Sequence, residues 1–182
     1  YKVISKLLAN RLKYLLPELI SPNQSAFVPW RLITDNLLVA FETYHAIKRK
    51  RTKKFGICAI KLDMHKAYDR VEWTFLRDMM QKLEFHEQWI DMIMACVSSV
   101  RYKVRFNSQE TDSFIPTIGI RQGDPLSPYL FLFCVEGFSA LLRKAQSENK
   151  LKGVMFGSTG PHITHLLFAD DSIVFLEGSL EY

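Results

Sequence analysis

Asp170 and Asp171 stand side by side, with the apolar run Ile163–Phe168 ahead of them and Ser172-Ile173-Val174-Phe175-Leu176 behind. Neighbouring carboxylates repel, and a partly buried ionised pair is costly unless a cation neutralises it. Hard divalent ions such as Mg²⁺ take carboxylate oxygens together with substrate phosphates. Asp is also common in turns. The pair alone therefore leaves a polar hairpin turn and a cation site both open. A third acid, Asp63, follows the run Phe55–Ile60, which reads as a short buried strand. Carboxyl ends of strands are where α/β folds place ligands. Two-metal phosphoryl transfer needs carboxylates from separate strands around ions roughly 3.5–4 Å apart. Asp63 and Asp170 are more than 100 positions apart, so only folding can join them. Asp69 reads instead as a residue that caps or leads into the next helix.

These acids need elements to hold them. Trp73, Leu76, Met79, Met80 and Leu83 have the spacing of one buried helix face, predicting a helix over about Glu72–Leu83. Between the acidic sites, Gly123 before Asp124-Pro125 marks a sharp turn, and Pro125 suits the start of a helix from about Ser127 to Ala145. Arg121 and Gln122 then sit between a strand exit and a helix N-terminus, a place suited to anions. An ordinary surface arginine in a turn satisfies the same spacing. An opening amphipathic helix carries Leu7, Leu8, Leu12 and Leu15, and a second carries Leu37, Leu38, Phe41, Tyr44 and Ile47. The expected strands lie near 55–62, 102–107, 114–120, 163–168 and 172–176, with loops at Asn107–Ser113 and Phe156–Pro161.

Lys48-Arg49-Lys50-Arg51-Thr52-Lys53-Lys54 packs six bases into seven positions of a chain whose formal net charge is +5. Cations complement a helix C-terminus, but so many also suit phosphate contact or nuclear targeting. Lys103 and Arg105 alternate with Tyr102, Val104 and Phe106, which predicts a strand with one basic face for nucleic acid. At 182 residues and 48% hydrophobic content the chain suits one sizeable globular domain. No apolar run nears the roughly 20 residues of a membrane span. Cys58, Cys96 and Cys134 are too scattered for a zinc site or disulfide framework, and are expected as reduced core residues of an intracellular protein. His162 and His165 lack cysteine partners and are expected to be structural.

Four segments together resemble the polymerase motifs of reverse transcriptases, most closely the plant-type non-LTR (LINE-type) retrotransposon enzymes. They are Asn23-Gln24-Ser25-Ala26-Phe27-Val28-Pro29, Lys61-Leu62-Asp63-Met64 with Lys66-Ala67-Tyr68-Asp69-Arg70-Val71-Glu72-Trp73, Arg121-Gln122-Gly123-Asp124-Pro125-Leu126-Ser127-Pro128, and Phe168-Ala169-Asp170-Asp171. The resemblance implies an α+β right-hand polymerase fold, with partial helical fingers over 1–54 and a palm over 55–182, an antiparallel sheet backed by helices. It implies RNA-directed DNA polymerase activity with two Mg²⁺ ions, Mn²⁺ being a substitute, on Asp63, Asp170 and Asp171. Tyr68 would exclude a ribose 2′-hydroxyl, Arg121, Gln122 and Gly123 would shape the nucleotide pocket, and Phe168 would lie beside the primer end. The implied partners are an RNA template, a DNA primer and deoxynucleoside triphosphates. Arg31, Lys48, Arg49, Lys50, Arg51, Lys53, Lys54, Lys103 and Arg105 would meet nucleic acid, and nuclear placement is implied.

The chain departs from that pattern at several points. Trp30 and Glu84 stand where the family has glycine, and a φ > 0 at Trp30 would strain it by on the order of 1–2 kcal/mol. His65, Ile118 and Ile120 also differ. Both ends are expected to be cuts through a larger protein, leaving triphosphate-binding fingers residues upstream and the thumb downstream. The 182 residues alone are therefore expected to be inactive. The competing readings are a degenerate remnant that at most binds nucleic acid, a polymerase copying RNA into RNA, and a two-metal nuclease or phosphatase. Tyr68 argues against the last two.

Overall fold

In the computed structural model, residues 1–49, 55–155 and 160–179 are described. Helices α1 (Lys2–Lys13), α2 (Leu16–Leu19) and α3 (Ile33–Arg49) precede strand β1 (Phe55–Asp63). A 3₁₀ turn at Tyr68–Arg70 leads to α4 (Trp73–Lys82) and α5 (Glu87–Ser98). Then come β2 (Arg105–Phe106), β3 (Gln109–Glu110), α6 (Ser127–Ser147), β4 (Val154–Met155), β5 (His162–Ile163), β6 (His165–Phe168) and β7 (Asp171–Ser179). The fold is α+β. The chain divides into two compact units, one of residues 1–15 and 66–134, the other of 16–65 and 135–182.

In the first unit, α4 forms as its apolar spacing predicts, with Leu76 and Met80 fully buried. Arg77 bridges to α5 through Glu87 (2.6 Å) and Asp91 (2.8 Å). The strand expected at 102–107 shrinks to Arg105–Phe106, paired with β3 across a two-residue turn. Asn107 and Ser108 both have positive φ there (46° and 64°), the signature of a type I′ hairpin. The loop expected over 107–113 therefore contains a strand. No strand forms at 114–120 beyond a single bridge between Tyr102 and Phe114. Pro116 lacks the donor a ladder needs, and the segment bonds elsewhere: the Gly119 amide donates to Val71 O (2.8 Å) and the Ile120 amide to Tyr68 O (2.9 Å). Gly119 is obligatory, since its φ is +89° and a Cβ would meet Asp69 O at 2.9 Å.

In the second unit, β7 is the centre of a three-stranded antiparallel sheet ordered β1-β7-β6. One face packs beneath α3, where Ala40, Leu166 and Phe175 form a core with Val154. The helix presents its expected face only in part: Ile47 packs on this core and the Tyr44 ring meets Phe175 edge-on, but the rest of the contact comes from smaller residues. Asn36, Ala40 and Thr43 are buried, while Leu37, Leu38, Phe41 and Tyr44 are exposed. Similarly, α1 buries Ser5, Leu8, Ala9 and Leu12 but leaves Leu7 exposed, as is Leu15 beyond it. β1 is an edge strand rather than a buried one, and on its other face Cys58, Ile60 and Leu62 are exposed. Cys58 is thus no core residue, unlike Cys96. The predicted loop at 156–161 falls mostly outside the described residues.

Candidate active site

The β1–β7 ladder runs in register from Phe55 opposite Ser179 to Asp63 opposite Asp171, so two carboxylates face one another at one end of the sheet. Phe168 pairs with Asp171 across β6–β7, leaving Ala169-Asp170 as a two-residue turn. Cross-strand partners share a face, so Asp63, Asp171 and Phe168 lie on the side that α3 covers further along. Directly opposed side chains have Cβ atoms about 4.5–5.5 Å apart, and like charges there repel. Lys61, on the same face, places Nζ 3.0 Å from Asp171 Oδ1. Its pKa is raised by that hydrogen bond first, then by the charge of Asp171, with Asp63 and Asp170 adding smaller effects. Asp63 and Asp170 are exposed and only Asp171 is half-buried. Mutual repulsion, rather than desolvation, is what a cation would relieve.

The turn is held from beneath. Residues Asn23–Ser25 run along the free edge of β6: the Leu167 amide donates to Asn23 O (2.8 Å) and the Ser25 amide to Leu167 O (3.3 Å). Gln24, 1% exposed, accepts at Oε1 from the amides of Ala26 (2.9 Å) and Ala169 (3.2 Å). Ala169 has φ +58°, a position where glycine is at ease, and it directly precedes Asp170. Asn36 ties α3 to the same place through Asn23 O (2.7 Å) and Leu167 O (3.2 Å). Gln24 and Asn36 are supporting residues that spacing does not single out. Gln24 falls inside the quoted Asn23–Pro29 motif, and Asn36 follows Thr34-Asp35 with no signal of its own.

The predicted nucleotide-pocket residues Tyr68, Arg121, Gln122 and Gly123 belong to the first unit. Tyr68 is half-buried, its ring edge-on to Phe131 with centroids 5.2 Å apart. Trp73 Nε1 donates to Gly119 O (2.7 Å) and Ser127 Oγ to Arg121 O (2.6 Å), fastening both ends of the segment before Gln122. The Arg121 guanidinium lies 4.8 Å from the Tyr1 ring centre. Gln122 Nε2 donates to Asp69 Oδ1 (3.3 Å), so Asp69 serves this turn; the cap of α4 is Glu72. Asp124 is buried and accepts from Ser5 Oγ and from the Leu126 amide (2.9 Å). A side-chain carboxylate thus meets the chain just ahead of α6. Beside the turn lies a cavity of about 230 Å³ lined by Asp69, Tyr102, Phe114, Ile118 and Arg121.

The basic residues divide. Arg31 is not available to nucleic acid: its terminal nitrogens donate to the carbonyls of Ser21, Gln24, Pro17 and Ile20 at 2.5–3.2 Å, and burial lowers its pKa. Lys48 and Arg49 are exposed at the C-terminus of α3, while Lys50, Arg51, Lys53 and Lys54 lie outside the described residues. Lys103 and Arg105 are exposed but share Glu110 at 3.4 and 3.8 Å.

A family model for reverse transcriptases (RNA-dependent DNA polymerases) matches residues 1–181. The chain belongs to the reverse transcriptase family. A Xenopus laevis protein of transposon TX1 is 32% identical over 96% of this chain, which spans 13% of that protein. The Pol polyprotein of the Drosophila melanogaster retrotransposable element R2DM is 28% identical over 86%, and 14% of its own length is covered. An Arabidopsis thaliana mitochondrial protein is 54% identical over 57 residues, 31% of this chain and 47% of that protein. This reverse transcriptase domain is thus of the non-LTR retrotransposon kind, and it spans about one-eighth of the length of its long relatives. The palm polymerase fold is shared with Candida albicans telomerase solved with a telomeric RNA fragment, at TM-score 0.61 and 12% identity over 96% of this chain and 30% of that one.

The family implies a divalent metal. Asp63, Asp170 and Asp171 supply only hard oxygen donors at one sheet end, which suits Mg²⁺. Among the described residues no three acidic, histidine or cysteine side chains converge into a ready-made cage. That also suits Mg²⁺, which is bound by one or two carboxylates plus substrate phosphates rather than by an all-protein shell. No described helix is long and apolar enough to cross a membrane.

Proposed function

We propose that this domain polymerises deoxynucleotides on an RNA template from a DNA primer, with Asp63, Asp170 and Asp171 holding Mg²⁺, or Mn²⁺ in its place. The observation carrying this reading is the ladder register, which sets Asp63 opposite Asp171 with Asp170 next in the turn. Two ions held there would activate the primer 3′-hydroxyl and offset charge on the attacking and leaving oxygens. Phe168, paired to Asp171, bears on the primer end. Tyr68, backed by Phe131, stiffly excludes a 2′-hydroxyl and so selects deoxynucleotides. Arg121, Gln122 and Gly123 form the nucleotide-facing turn. Lys48 and Arg49, and Lys103 and Arg105, meet phosphates of template and primer. Its resemblance to retrotransposon enzymes supports action in the nucleus.

Asp63→Asn or Asp170→Asn, in a polypeptide that carries this domain with flanks like those of its long relatives, abolishes primer extension. The far-ultraviolet dichroism stays unchanged. Near-normal extension by either variant would refute the assignment. A second reading, a degenerate copy that only binds nucleic acid, is favoured by two glycine positions filled at cost: Trp30 has φ 67° and Glu84 φ 62°. If unmodified protein is inactive and Trp30→Gly with Glu84→Gly restores extension, that reading holds.

A further inference from the structure

Lys61 is the one described basic side chain paired with the acidic cluster, and its neighbours give it a job the family motif does not specify. It lies two residues before Asp63 on the same face of β1, so its ammonium falls diagonally across the ladder onto Asp171, 3.0 Å from Oδ1. Lys61 and Asp171 are both partly exposed, at 66% and 45% of their side chains. The pair is therefore a weak, exchangeable one rather than a fixed support. Three carboxylates and one ammonium leave a net charge of −2, which a single divalent ion cancels. Without Lys61 the same cluster would carry −3.

We propose that Lys61 is a built-in counter-ion that competes with the divalent metal for Asp171 and so weakens binding of the first ion. The ammonium keeps opposed carboxylates together when no metal is bound and must leave Asp171 when one arrives. Because the pair is exposed, release is easy and the expected effect is modest. This inference rests on the proposed metal role of the three aspartates, and its test separates the two.

Mn²⁺ binding to the 182-residue chain is followed by the electron paramagnetic resonance signal of the free ion. Lys61→Met binds Mn²⁺ three- to tenfold more tightly than the unmodified chain, and Lys61→Arg, which keeps the charge, stays within twofold of it. Asp63→Asn weakens binding in both backgrounds. If Lys61→Met binds no more tightly than the unmodified chain, or shows no binding, competition by Lys61 is overturned. If binding is instead indifferent to Asp63→Asn and Asp170→Asn, the carboxylate site itself is wrong and the inference falls with it.

Discussion

The carboxylate end of the sheet and the Arg121–Asp124 turn each carry aspartate, yet they are built on opposite terms. At the sheet end, Asp63 and Asp170 are exposed and the one described ion pair, to Lys61, is open to solvent. In the turn, Asp124 is buried, with Ser5 and the Leu126 amide on its Oδ1. An acid whose partners are all internal is structural. An acid left facing water beside like charges keeps its oxygens free for a cation. Burial and partner count separate the two roles where residue type does not.

The sharpest way to break this comparison is to remove each acid in turn. Asp124→Ala strands the Ser5 hydroxyl and the Leu126 amide in a dry site and costs about 2–3 kcal/mol. Asp170→Ala, at an exposed turn, changes stability by no more than about 0.5 kcal/mol. Urea melts of both variants decide it, and equal losses would erase the distinction.

A smaller effect lies under the same sheet. His165 is fully buried between Ser139 Oγ and Thr164 Oγ1, both at 2.8 Å. Burial first, then Arg143, push its pKa down from 6.5 to about 4. Between those values the unfolded chain takes up a proton that the folded chain refuses, so stability falls as pH drops from about 6.5 toward 4 and is unaffected above pH 7. Melting temperature against pH shows this slope, and His165→Gln flattens it.

The smallest effects are gains. Trp30→Gly and Glu84→Gly each relieve a left-handed backbone, adding about 1 kcal/mol. Trp30 is 95% exposed, so little packing is lost. A fall in melting temperature for both would show that these φ values are not strained.

Much of this was legible from residue order. The acids fall at a strand end and a hairpin turn as the apolar runs around them require, α4 follows its spacing, and α6 starts at Ser127 after the Gly123-Asp124-Pro125 turn. Trp30 stands at a family glycine position where a positive φ would strain it, and its φ is positive; Glu84, at another such position, also has a positive φ. The failures share a cause. Periodicity marks an apolar face but not which part of it meets the sheet, so on α3 Phe41 is exposed while Ala40, Val39 and Ile47 make the contact. Charge marks Arg31 but not its partners, and four carbonyls claim it. β-branched residues at 115–120 suggest a strand, but Pro116 and Gly119 hand the backbone to Val71 and Tyr68 instead.

By itself the sequence determined the local elements, the acids available and the family, because periodicity, turn chemistry and motif order are local properties of the chain. Tertiary structure alone decided that Asp63 lies opposite Asp171, that Lys61 reaches across to it, and that Gln24 supports the turn before Asp170. Those are pairings between segments more than 100 residues apart, set by ladder register and packing. A shift of one residue in that register would turn every side chain of β1 to the other face.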